Sequence, residues 1–193
     1  MKSVAGLLLA AGSARRFGSD KLLHPLPHGV SIVVQAARHL KAELETVFAV
    51  VRPGEKALFT SLEAEGCDVR VCENAAEGMG ASLACAARAA GARAGYLIAR
   101  GDMPFVRRSS IAAVRDALAA GASLAAPYFR TRRGHPVAIA GSFYKDLIQL
   151  RGDEGAKKLL AANEKILVKV PLGDPGVIRD IDRPEDLHPP LAV

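Results

Sequence analysis

Continuous apolar runs alternating with helix-period segments constrain this chain more than any other feature. Residues 3–9, 47–51, 68–72, 96–99 and 123–127 read as short strands. The apolar ones lack an in–out alternation, as expected of strands covered on both faces. Between them the spacing turns helical. Ser31 opens IVVQAARHLKAEL as an N-cap, 55–65 runs up to Gly66, 81–90 stops at Gly91, and 110–120 stops at Gly121. This alternation predicts an α/β fold, a Rossmann-like three-layer sandwich with a mostly parallel sheet. After Pro127 the texture changes. The pattern there predicts a strand pair around 131–134, helices near 143–150 and 154–162, and closing strands near 166–170 and 177–181.

With 193 residues, half of them hydrophobic, the chain suits one compact domain over 1–193. Basic residues exceed acidic ones by 26 to 20, which favours an anionic partner. Nucleic acid is not expected: there is no tryptophan, aromatics are 5%, and the basic residues are scattered. Cys67, Cys72 and Cys85 are odd in number and lack CxxC spacing, so they read as ordinary thiols in a reducing compartment. The run VAGLLLAAG is followed at once by charge, with no export layout, and no apolar run approaches the ~20 residues of a membrane span. The expectation is a cytoplasmic protein without membrane contact.

In a parallel sheet, ligands bind at the carboxyl ends of the strands. The loop LAAGSARRFGSDK follows the first strand and so lies at such an end. Gly12 and Gly18 allow backbone N–H groups to approach an anion, and Arg16 and Lys21 can neutralise phosphates. The loop is neither a Walker A motif nor GxGxxG. Gly101-Asp102-Met103-Pro104 follows the fourth strand. A carboxylate there suits Mg²⁺, which takes hard oxygen ligands from protein and phosphate. In the cluster Asp180-Ile181-Asp182-Arg183-Pro184-Glu185-Asp186, alternation puts Asp180 and Asp182 on one face. Asp182 also reads as an N-cap with Glu185 three residues on. Asp180 is therefore the preferred second metal ligand.

The first loop resembles the signature of the nucleotidyltransferases that transfer a nucleoside monophosphate from a triphosphate. The likeness falls on Leu9, Ala10, Ala11, Gly12, Arg16, Phe17, Gly18 and Lys21. GDMP and DIDRPED resemble further elements of that superfamily, with Arg100 a departure at a position where a small or apolar residue is expected. Shorter matches are Glu77 to Leu83 (EGMGASL), Arg133 to Val137 (RGHPV) and Gly152 to Ala156 (GDEGA). These are similar to the molybdenum cofactor cytidylyltransferases, and Ala11 favours that branch over the guanylyltransferases. The resemblance implies transfer of CMP from CTP to molybdopterin with release of pyrophosphate, dependent on Mg²⁺. A molybdoenzyme would receive the product.

On this reading Arg16, Lys21 and Asp102 are catalytic. Leu9, Ala10, Ala11, Gly12, Arg16, Lys21, Gly78, Ser82 and Gly101 bind nucleotide. Gly134, His135 and Asp153 bind the acceptor, and Asp102 and Asp180 hold the metal. Residues 1–127 form the nucleotide part and 128–187 the acceptor part. The rivals are a guanylyltransferase, an enzyme acting on a sugar or alcohol phosphate, and a non-catalytic carrier of the cofactor.

Overall fold

The computed structural model describes residues 3–12, 21–153 and 155–188. Its elements follow in the order β1 (Val4–Leu9), α1 (Ile32–Lys41), β2 (Thr46–Val51), α2 (Lys56–Ala64), β3 (Asp68–Val71), α3 (Met79–Ala90), β4 (Gly95–Arg100), α4 (Arg108–Ala119), β5 (Leu124–Phe129), β6 (Arg132–Arg133), β7 (Val137–Ala140), α5 (Tyr144–Leu147), α6 (Lys157–Ala162) and β8 (Leu167–Pro171). The sheet order is β3-β2-β1-β4-β7-β5-β6, with β8 beside β5. β1, β2, β3 and β4 pair in parallel, β7 runs antiparallel to both β4 and β5, and β8 is parallel to β5. The expected three-layer, mostly parallel α/β sandwich is the observed architecture.

Period-two side-chain direction divides the strands between two cores. Leu8, Val47, Ala49, Val51 and Leu97 point to the face covered by α1, α2 and α4, where Val33, Leu40, Leu58, Leu62, Ile111 and Val114 meet them. Ala5, Leu7, Phe48, Val50, Tyr96 and Ile98 point to the other face, against Leu83, Ala86 and Ala87 of α3, Leu147 of α5, and Leu159 and Leu160 of α6. Hence the continuous apolar runs: neither side of a central strand sees water. Each fully buried leucine removed from water contributes roughly 2 kcal/mol. α1 keeps one apolar stripe (Ile32, Val33, Ala36, Ala37, Leu40), and the chain leaves the helix at Lys41, short of the expected Leu44. Gly66, Gly91 and Gly121 follow their helices with positive φ, as stop residues do.

The closing strand expected at 177–181 does not form. Residues Pro175–Ile178 make a single 3-10 turn, held by the buried Asp174 carboxylate, which accepts from Gly176 N at 2.9 Å. That carboxylate also accepts from Ser110 Oγ at 2.6 Å and from Arg107 N at 2.9 Å, tying the turn to the start of α4. The segment then makes two isolated bonds instead of a ladder. Val177 O accepts from His135 N at 2.7 Å, and Ile181 N donates to Asp102 O at 2.9 Å. Val177 and Ile181 are buried without strand pairing.

Candidate functional site

The chain runs outward from β1 through β2 to β3, then returns to the other side of β1 for β4. The crevice at the carboxyl ends of β1 and β4 is therefore a topological switch point. Leu9 is in register with Arg100, Gly101 N donates to Leu9 O at 2.9 Å, and Ala10 N donates to Val50 O at 3.0 Å. Two loops 90 residues apart in sequence are thus bound edge to edge, and the GDMP turn sits beside the first loop. Of that loop, Leu9 to Gly12 and Lys21 are described; Arg16, Phe17 and Gly18 lie outside the described residues.

A cavity of about 440 Å³ opens here. Leu9, Ala11, Gly12 and Lys21 line it from the first loop, Arg100 and Asp102 from the end of β4, Gly78 and Ser82 from the start of α3, and Asp153 and Asp182 from the later segments. Ala10 and Gly101 lie behind this wall and are buried. A side chain built at Gly12 would meet none of the described residues within 4 Å. Ala11 packs with Cys72 and Ala75 into a small buried cluster, with Cys85 against it. Ser82 Oγ donates to Gly78 O at 3.3 Å. The cysteines behave as packing groups: Cys67 and Cys72 are buried, and desolvation pushes both thiols up to about 11.

The electrostatic centre is Asp102. Its Oδ2 accepts from Lys21 Nζ at 3.0 Å and from Arg100 Nη2 at 2.9 Å. Its Oδ1 is buried and has no hydrogen-bond partner among the described residues. Arg100 Nη1 reaches Asp180 Oδ2 at 3.1 Å, and Lys21 Nζ reaches Asp182 Oδ1 at 3.4 Å. One oxygen each from Asp102, Asp180 and Asp182 lies within 4.8 Å of the other two. Three carboxylates and two cations thus share one corner of the cavity.

Asp182 does not cap the final 3-10 turn. Arg183 is the N-cap, and Asp186 supplies the carboxylate, accepting from Asp182 N at 3.1 Å and Arg183 N at 3.0 Å. The Asp182 side chain faces the metal-type cluster instead. Asp153 does not cap α6 either: the N-cap there is Ala156. Its carboxylate lies against Gly78, on the same cavity as Lys21 and Asp102. Met79, from the EGMGASL match, also lines the cavity, as does Arg52, which was not singled out from the sequence. Arg52 had a usable signal, since it follows β2 as directly as Ala10 follows β1.

Gly134 and His135 stand apart from the cavity lining. Gly134 packs so tightly on Val177 that any side chain there would collide with the Val177 carbonyl. His135 precedes a cis proline, and its Nδ1 is buried without a partner among the described residues. Burial pushes its imidazolium down to about 4, with Arg100 adding to the effect against the Ile98 backbone and Asp102. A depressed histidine pKa means the unfolded chain binds more protons between the two values. Stability is then fully present above pH 6.5 and falls by about 3 kcal/mol as pH drops from 6.5 towards 4. Urea unfolding across that range should show the slope, and His135→Gln should flatten it. An unchanged slope in the variant would reject this account.

A charged, cavity-bearing crevice at a switch point of a parallel sheet is where α/β nucleotide enzymes work, and the class is that of the nucleotidyltransferases. The MobA-like NTP transferase domain matches residues 6–166, and the chain belongs to that family. It is 28% identical over 195 residues to the purine catabolism protein PucB of Bacillus subtilis, covering 94% of this chain and 92% of that one. Among solved structures, Rv0371c of Mycobacterium tuberculosis superposes with a TM-score of 0.82 at 24% identity, covering 96% of this chain and 95% of that chain. That protein has also been solved as a complex with manganese, with a TM-score of 0.79 at 22% identity and 95% of each chain covered. The molybdopterin-guanine dinucleotide biosynthesis protein A of Archaeoglobus fulgidus superposes with a TM-score of 0.68 at 19% identity, covering 95% of this chain and 94% of that chain. These superpositions share the fold. Among the described residues no helix is long and apolar enough to cross a membrane.

Proposed function

We propose that the protein transfers CMP from CTP to the terminal phosphate of molybdopterin and releases pyrophosphate. The observation that carries this reading is the cavity itself. It gathers Leu9, Ala11, Gly12, Lys21, Gly78 and Ser82, all assigned to the nucleotide by resemblance, around Asp102. The cytosine choice rests on Ala11, and the acceptor on the resemblance at RGHPV and GDEGA. The fold shared with the molybdopterin-guanine dinucleotide biosynthesis protein A of Archaeoglobus fulgidus supports a molybdopterin acceptor. On this reading residues 1–127 hold the nucleotide and 128–187 the acceptor, with Gly134, His135 and Asp153 on the acceptor side. Asp153 reaches the shared cavity directly; Gly134 and His135 act by shaping the wall behind Asp102.

The donor set suits a divalent ion. Three hard carboxylates converge, and the buried Asp102 Oδ1 has an unused lone pair. Asp102 and Asp180 would hold Mg²⁺, with Asp182 as a third carboxylate beside them. When bound, the ion supplies positive charge to the triphosphate oxygens. The chemistry is displacement at the α-phosphorus. A phosphate oxygen of the acceptor forms the new P–O bond, and the bond to the β-phosphate bridging oxygen breaks. That nucleophile is anionic near neutral pH, so no general base is needed. Gly12 presents backbone to the triphosphate, and Lys21 and Arg16 stabilise charge growing on the leaving pyrophosphate.

The test is pyrophosphate release from each of the four triphosphates in the presence of Mg²⁺ and molybdopterin. CTP is expected to exceed GTP by about tenfold or more in kcat/KM, the usual scale for a pocket that discriminates by fit. GTP in front would assign the chain to guanylyl transfer. CTP binding without turnover would point to a cofactor carrier.

A further inference from the structure

Arg100 contacts two of the three carboxylates of the cluster. Its guanidinium spans them like a staple, Nη2 on Asp102 at 2.9 Å and Nη1 on Asp180 at 3.1 Å. It is half-buried and lines the same cavity as Lys21 and Gly12. Lys21 shares that same Asp102 oxygen, Oδ2, and also reaches Asp182. The formal charge of the corner is then three negative and two positive. A divalent ion entering it would meet one net negative charge, with two cations already on the ligand oxygens.

The two cations differ in what can relieve them. The Lys21 ammonium is a point charge on a flexible stem, whereas the planar Arg100 fork is held by two carboxylates at once. Arg100 therefore weakens Asp102 and Asp180 as ligands until it moves or is neutralised by another anion, although Asp102 Oδ1 itself stays open among the described residues. Its fork geometry suits a carboxylate pair and suits phosphate oxygens equally well. A triphosphate in this cavity would present such oxygens within reach of the same side chain.

We propose that Arg100 is an interlock on the metal site. It acts as a resident counter-cation that keeps Asp102 and Asp180 weak for a divalent ion until an incoming triphosphate draws the guanidinium off. The proposal rests on the divalent-ion reading above and adds an order to it, nucleotide and ion loading together. Linkage makes the effect reciprocal: whatever factor the triphosphate adds to ion affinity, the ion adds to triphosphate affinity. Arg100 is here a positioning residue for the metal carboxylates.

Direct Mn²⁺ titration, by calorimetry and by the loss of the free-ion electron paramagnetic resonance signal, tests it without turnover. Wild type, Arg100→Gln and Arg100→Lys are compared with and without CTP, acceptor omitted, after thermal melts confirm folding. Arg100→Gln is expected to bind Mn²⁺ alone about tenfold tighter than wild type, because one unit charge has left the ligand oxygens. The tightening produced by CTP should shrink by a similar factor. Arg100→Lys keeps the charge but not the fork, and should fall between. Equal or weaker Mn²⁺ binding by Arg100→Gln without nucleotide overturns the interlock. Absence of Mn²⁺ binding to wild type even with CTP overturns the metal reading itself.

Discussion

Asp102→Asn is expected to cut pyrophosphate release by about a hundred- to a thousandfold, the scale on which loss of one preorganised charged contact acts in transfer reactions. The substitution keeps the shape of the side chain and the turn after β4. It removes the negative charge on which Lys21 and Arg100 converge, and it turns an acceptor oxygen into an amide donor or a weaker acceptor. Oδ1, which has no partner among the described residues, is the atom with capacity for an ion, and asparagine offers it no charge. Folding should survive, because Arg100 keeps Asp180, Lys21 keeps Asp182, and Ile181 N bonds to the main-chain oxygen of residue 102. Melting temperature beside turnover is the measurement. Near wild-type pyrophosphate release from a folded Asp102→Asn, or from Lys21→Ala, would remove this corner from the chemistry.

The site was legible in the sequence where sheet geometry dictates it. Leu9 to Gly12 and Asp102 both follow apolar runs, and the carboxyl ends of parallel strands lie on one edge. Nothing in the spacing says that β1 and β4 are neighbours; the return of the chain after β3 brings them into register. The pattern failed at 177–181 because burial of Val177 and Ile181 imitates a strand, while Asp174 and His135 take the backbone bonds singly. It failed at Asp182 because two downstream carboxylates compete for the cap. Asp186 takes it and leaves Asp182 facing the cavity. Arg100 stood out in the sequence as an unexpected charge. Its partner Asp180 lies 80 residues on, beyond the reach of any local rule.

Gly78→Ala should destabilise the start of α3 and disturb the cavity beside it. Gly78 has φ +122°, a backbone state that costs an L-residue about 1–2 kcal/mol. The added carbon would also collide with Asp153 Oδ1, with Gly152 C at 2.6 Å and with Asp153 N at 2.7 Å. Two of those atoms are main chain, so no rotamer change relieves the clash, and overpacking of this kind costs about 1–3 kcal/mol more. The loop carrying Asp153 is anchored here by Gly80 N, which donates to Gly152 O at 2.6 Å. Relief must therefore come from moving residues 151–153 off the start of α3. That shift would carry Asp153 away from Ser82 and open the cavity that both line. The expected result is a stability loss of about 2–5 kcal/mol by urea unfolding. KM for the acceptor should rise more than KM for CTP. An acceptor KM unchanged in a destabilised Gly78→Ala would mean that residues 151–153 support the fold without touching the acceptor.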